Sequence, residues 1–207
     1  MYQLLNVKIS LLFAFSVLLA ACSTNKSIDQ KSQFGIFKVK NDAKSIEMNG
    51  EIGRKSLKNF DKLLNAFPNV NHINIVECGG SMDDETNLKL SHRVYEKAMT
   101  IHLLDNGMIA SGGVDFFLSG RKRTKGKNTK IGVHSWAGED DNGVPISATD
   151  FSNGHDYHQP YIKYYQSVGF GSEDAKAFYF FTINAAATND IHWMTAAEIL
   201  KYKMLKE

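Results

Sequence analysis

Runs with β-strand alternation and runs with helical spacing take turns along most of this chain, and that alternation narrows the folds open to it. Residues 34–39 and 45–50 alternate with the period of two that a half-buried strand needs. Leu57, Phe60, Leu63, Leu64 and Phe67 then recur at helical spacing, and Pro68 stops that helix. The pattern repeats. A β-rich run over 72–77 ends at Gly79-Gly80, and a helix is predicted over 83–99. A strand over 100–104, a turn at Asp105-Asn106-Gly107, a short helix over 111–118 and a strand over 130–136 follow. The basic run 121–127 reads as a solvated turn after a helix. Residues 137–154, rich in Gly, Asp, Asn and Ser, read as a long loop of the kind that covers a site or is disordered. Helices are predicted over 156–167, 172–187 and 195–204, the last opened by a capping box of Thr195 and Glu198. The expected fold is α/β: a largely parallel sheet with a helical C-terminal part.

The N-terminus reads as something other than fold. Residues 9–21 are almost wholly apolar behind Lys8, too short for the ~20 residues of a membrane span and suited to the core of a secretory signal. The run ends in Leu19-Ala20-Ala21-Cys22, which resembles the bacterial lipobox. That resemblance implies a signal peptide over 1–22 and lipidation of Cys22, with a diacylglyceryl group plus an amide-linked acyl chain such as palmitate, because one chain alone anchors only marginally. An uncleaved anchor and an ordinary signal are the other readings. Ser23 rather than aspartate follows the cysteine, which favours the outer membrane of a Gram-negative envelope, facing the periplasm. Residues 23–33 are polar and read as a tether. Residues 34–207 then form one domain of a size that supports its own core.

Three function classes recede on composition and motif spacing. The formal charge is only +2, from 24 basic and 22 acidic residues, which argues against a nucleic-acid surface. With Cys22 lipidated, Cys78 has no intrachain disulfide partner, and a buried, inert thiol is expected. His155 and His158 sit three apart without a third ligand at convincing spacing, so no metal is expected. No phosphate loop or dinucleotide fingerprint is present, and no cofactor is expected.

The residues with chemistry in them cluster at strand ends, where ligands bind in such sheets. Ser111 stands among small residues, Ala110-Ser111-Gly112-Gly113, where a sharp turn opens a helix. A serine hydroxyl becomes a nucleophile when a base takes its proton, and His134, ending the run Ile131-Gly132-Val133-His134, is the candidate base. The amides of Gly80 and Gly112 are candidates for an oxyanion hole. Each has a plainer alternative: Ser111 as a helix N-cap, His134 as a structural strand histidine, the glycines as ordinary turns. Asp115 lies four residues past the serine on the same helical side and is a poorer candidate.

Taken in order, strand, Gly-Gly, helix, strand, small-Ser-small helix start and strand ending in His resemble the ClpP/crotonase superfamily. In particular they resemble the ClpP-like serine peptidases and the periplasmic proteins related to them. Ala110-Ser111-Gly112-Gly113 is also similar to the nucleophile segment of signal peptide peptidase A, and Asp190 through Leu200 resembles the C-terminal acidic segment of the peptidases. The resemblance implies Asp190 as the third member of a triad, although it stands one residue further from Thr195 than the pattern asks. It implies Lys163 as the rival base of a Ser–Lys dyad. Cys78 stands where many relatives have proline. The implied activity is a serine hydrolase, a peptidase acting on peptide or other acyl substrates, in a homo-oligomer. The alternative is a non-catalytic binding or envelope-assembly module that keeps the fold. An acyl-thioester enzyme is weaker, since coenzyme A is not expected outside the cytoplasm.

Overall fold

The computed structural model describes residues 32–140 and 142–207. The signal segment 1–22, Cys22 and the tether up to residue 31 lie outside the described residues. Gln33, placed in the tether on sequence, is the first residue of β1 (Gln33–Phe34).

An eight-stranded mixed sheet organises the domain, in the order β1-β2-β3-β4-β5-β7-β10 with β6 also paired to β5. Its centre is parallel: β3 (Ser45–Asn49), β4 (His72–Cys78) and β5 (Thr100–Ala110) run together, and both β6 (Lys122–Lys125) and β7 (Lys130–Val133) lie parallel to β5. The edges are antiparallel, with β2 (Phe37–Val39) between β1 and β3 on one side and β10 (His192–Trp193) against β7 on the other. Helices α1 (Ser56–Ala66), α2 (Asp84–Glu96) and α3 (Gly112–Leu118) connect the parallel strands. Helices α4 (Gln159–Ser167), α5 (Ser172–Ala185) and α6 (Ala196–Lys201) make the C-terminal part. Fully buried Ile46, Ile73, Ile75, Ile101, Leu103 and Ile109 come from the three central strands and pack with Phe60, Leu90, Phe116 and Phe117 of the helices. Burying each such side chain is worth about 1.5–3 kcal/mol. Among the described residues, no helix is long and apolar enough to cross a membrane.

Four local expectations change. Residues 34–39 are two strands, because Gly35 takes φ +64° and reverses the chain between β1 and β2. Asp105-Asn106-Gly107 does not end a strand; it is an irregularity inside β5, which pairs with β6 through 100–103 and with β7 through 108–110. Asn106 adopts φ 59° there, and Asp105 and Asn106 hold Lys127 by its N–H and carbonyl. The basic run contains β6 rather than a solvated turn. Arg123 is buried and its guanidinium donates to the carbonyls of Met204, Gly120, Lys203 and Leu118 at 2.8–3.2 Å, satisfying the charge that burial would otherwise penalise. The loop over 137–154 contains a hairpin of β8 (Ala137–Glu139) and β9 (Pro145–Ser147), and then a 3₁₀ turn over Ala148–Asp150. A second 3₁₀ turn, Asp156–His158, leads into α4.

Candidate active site

The parallel strands β4, β5 and β7 deliver three segments to one end of the sheet: Gly79-Gly80, Ser111 and His134. Ser111 joins β5 to α3 with φ 50° and ψ −130°, a left-handed conformation that costs a non-glycine residue on the order of 1–3 kcal/mol. Its N–H donates to the Gly132 carbonyl at 3.0 Å, which ties the bend to β7. A strained strand-to-helix turn of this kind pushes its side chain clear of both elements. Ser111 occupies the N-cap position, but its hydroxyl makes no capping hydrogen bond, and among the described residues it has no hydrogen-bond partner. The plain helix-cap role therefore does not explain it.

The glycines around it are set by close approach. A Cβ on Gly113 would stand 2.4 Å from the Cys78 carbonyl oxygen, and one on Gly112 2.5 Å from Ser81 Oγ. The start of α3 is thereby pressed onto the end of β4. Gly80 has φ +154°, and a Cβ there would be 3.3 Å from Ser111 Cβ and 3.7 Å from its Oγ, so the Gly80 backbone lies against the hydroxyl. The Gly80 carbonyl accepts from Ile52 N–H at 3.0 Å; its own N–H donates to nothing among the described residues. The Gly112 N–H opens α3, where helical amides lack an intrahelical acceptor. Cys78 is buried and unpaired, and burial pushes its thiol up to about 12, the behaviour of a packing residue rather than a nucleophile.

His134 follows the last residue of β7, and the next amide, Ser135 N–H, is held by the Ala186 carbonyl at the end of α5 at 2.9 Å. Ser111 and His134 line one pocket. Among the described residues no hydrogen bond joins the hydroxyl to the ring, and His134 Nδ1 is buried without a partner. Asp190 does not supply one: it is exposed, its Oδ1 accepts from Ile191 N–H at 2.7 Å, and it is not part of the pocket wall. Lys163 is exposed on α4 and does not line the pocket either. The structure thus brings together Ser111, His134, Gly80 and Gly112, and leaves Asp190 and Lys163 apart from them.

The rest of the pocket comes from residues outside the sequence-predicted site, apart from Asp115, which the sequence offered as a poorer candidate beside Ser111. Asp84, at the start of α2, accepts from the Tyr161 hydroxyl at 2.6 Å and from the Ser81 hydroxyl. Asp115 on α3 accepts from the Tyr165 hydroxyl at 2.7 Å. Trp136, Tyr161, Tyr165, Tyr179, Thr182 and Ile183, with Val114 and Val133, complete the wall. The acidic start of α2 and the i, i+4 relation of Ser111 and Asp115 were the sequence signals. What sequence could not show is that α4 folds back over both. Burial is the first cause that pushes the Asp115 carboxyl up to about 7, with the Tyr165 hydrogen bond opposing it and the Asp84 charge adding to it. Burial also raises the Tyr161, Tyr164 and Tyr165 hydroxyls well above their ordinary value. His158, half of the candidate histidine pair, is fully buried between the Tyr179 hydroxyl at 2.7 Å and the Ser152 carbonyl at 3.0 Å. Among the described residues no cluster of three or more His, Cys, Asp or Glu could hold a metal ion.

Asp115 makes stability depend on pH with a definite sign. The folded chain keeps the proton between the ordinary value of 3.8 and about 7, while the unfolded chain releases it, so stability falls as pH rises through that window. The full effect is on the order of 4 kcal/mol. Carboxylates held low by backbone N–H groups, such as Asp42 and Asp140, act in the opposite sense, losing stability only as pH falls below the usual carboxylate range. Denaturant midpoints of the natural chain are expected to decline from pH 4.5 to 7.5. In Asp115→Asn that decline is expected to be largely flattened. An unchanged slope in the variant would show that Asp115 is not the group responsible.

No protein-family model matches the sequence, and no curated protein matches it; the similarity is in the structure. A mutant of the 1510-N membrane-bound stomatin-specific protease, bound to a substrate peptide, shares 18% identity over 78% of this chain and 72% of its own, with a TM-score of 0.53. A mutant of ClpP1 from Listeria monocytogenes shares 19% over 79% of this chain and 90% of its own, at 0.52. The ClpP protease catalytic domain from Plasmodium falciparum shares 17% over 78% and 82%, at 0.50. The chain therefore has the α/β fold of ClpP-like serine proteases.

Proposed function

We propose that this chain is a serine hydrolase of the bacterial cell envelope, anchored by lipid on Cys22 and acting on peptides. Ser111 Oγ attacks the acyl carbonyl carbon while its proton passes to His134. The carbonyl oxygen becomes an oxyanion facing the Gly80 and Gly112 N–H groups. Collapse breaks the bond to the leaving amine, which takes the proton from His134 and leaves an acyl-serine. Water then repeats the sequence and frees the acid. The observation that carries this reading is the Ser111 bend: a strained conformation holds a hydroxyl that does no structural work beside Gly80 and in the pocket His134 lines. Strain of that size persists where the surroundings over-determine it, and it collects at active sites. The base here acts as a Ser–His pair, since the Asp190 carboxylate is engaged by Ile191.

One observation favours a second reading. The unpartnered His134 Nδ1 and the missing Ser111–His134 hydrogen bond fit a module that keeps the fold and binds peptides without turning them over. Catalytic hydrogen bonds are often long before substrate binds, which leaves the hydrolase ahead. Fluorogenic peptide and activated-ester substrates separate the two. The hydrolase cleaves them and loses cleavage in Ser111→Ala; the binding module retains peptide affinity in both forms and cleaves nothing. The anchor is checked by the mass of the mature N-terminus, which carries a diacylglyceryl group on Cys22 that Cys22→Ser lacks.

A further inference from the structure

We propose that the pocket beside Ser111 recognises a primary ammonium group, so that the substrate's acyl portion carries a basic side chain of lysine type. This deepens the hydrolase reading and rests on it. Asp115 is only 9% exposed; its Oδ1 takes the Tyr165 hydroxyl, while its Oδ2 accepts no hydrogen bond among the described residues. The residue forms part of the pocket wall that Ser111 and His134 also line. Asp84 adds a second carboxylate to the same wall, and neither acid enters an ion pair among the described residues. Among the described residues, no lysine or arginine lines the pocket.

The remaining wall suits the stem of such a side chain. The Tyr161 ring stacks on Trp136, at 6.4 Å and 14°, and on Tyr179, at 5.7 Å and 19°, an apolar surface along which the methylenes of a lysine-type chain can lie. The pocket encloses about 50 Å³, room for about one or two water-sized groups, which suits a terminal ammonium and its adjoining methylene with the rest of the stem at the mouth. An ammonium seated there would supply the counter-charge the buried acid lacks, and an opposite charge at short range favours the ionised carboxylate. A neutral aliphatic group of the same length would leave the Asp115 oxygen unpartnered, which is costly in a buried site.

The test separates binding from chemistry. In the full chain carrying Ser111→Ala and Trp193→Phe, Trp136 is the remaining tryptophan of the two in the sequence and reports on its own pocket. Titration with n-butylammonium is expected to give a saturable change in its emission, with half-saturation at least tenfold lower than for n-butanol. Asp115→Asn is expected to erase that difference, and Asp84→Asn to reduce it. Equal responses to the two ligands, or no response to either, would overturn the proposal. Because Ser111 is absent, the outcome does not depend on turnover: saturable ammonium binding by this variant, beside a natural chain that cleaves no acyl substrate, would sink the hydrolase reading alone.

Discussion

Replacing Ser111 with alanine is expected to lower the turnover of an acyl substrate by about 10⁴- to 10⁶-fold, and His134→Ala by a similar factor. The double variant is expected to be little worse than either, because nucleophile and base act as one unit and removing one idles the other. The expectation carries a check on folding. The Ser111 hydroxyl has no hydrogen-bond partner among the described residues, so its loss leaves no buried group unsatisfied and thermal stability should hold. Asp190→Ala is expected to cost less than about tenfold, since its carboxylate is exposed and turned to the Ile191 amide; removing a true orienting acid costs about 10⁴. Steady-state kinetics on the four variants read all of this. Independent, multiplying losses at Ser111 and His134 would mean the two do not work together.

Gly113→Ala is expected to be the most damaging small change to the fold. The new methyl would lie 2.4 Å from the Cys78 carbonyl oxygen and 3.0 Å from Cys78 Sγ. The obstructing atom is strand backbone, so relief requires moving β4 or α3, and overpacking of this kind costs about 1–3 kcal/mol or more. A chain of this size loses about 2–4 °C of melting temperature per kcal/mol, so a fall of roughly 5–10 °C is expected. Gly53→Ala is the control, having nothing within 4 Å of the added carbon, and should stay within about 0.5 kcal/mol of the natural chain. Since α3 carries Ser111 at its start, the Gly113 variant should also lose activity beyond what its stability explains. Equal melting temperatures for the two variants would contradict the tight β4–α3 contact.

The features legible in the sequence are those that neighbouring residues decide. Pro68 closes α1 at Ala66, Asp83 caps α2 through the Thr86 amide, and Thr195 with Glu198 forms the capping box at α6. The strand-end positions of Gly80, Ser111 and His134 follow from the same short-range patterning, as does the burial of Cys78. What was hidden depends on partners far along the chain. Asp105-Asn106-Gly107 carries turn chemistry, yet β5 continues because β4 flanks it on one side and β6 and then β7 on the other. Arg123 looks solvated in a basic run, but carbonyls from residues as distant as Met204 receive its guanidinium. Two residues, His192 and Trp193, are too few to announce a strand, and become one only against β7. The pocket's aromatic wall reads as helical core, and much of it is. Only the return of α4 onto α2 and α3, with α5 packed beside it and against β7, brings Tyr161, Tyr165 and Tyr179 into the pocket of Ser111.

The most direct measurement is covalent. The folded, full-length chain is treated with a fluorophosphonate, digested, and its peptides are mapped by mass. A phosphonyl adduct on Ser111, lost in Ser111→Ala and strongly slowed in His134→Ala, is the expected result. An unmodified Ser111 under conditions that label a control hydrolase, or labelling indifferent to His134, would contradict the assignment of that hydroxyl as an activated nucleophile.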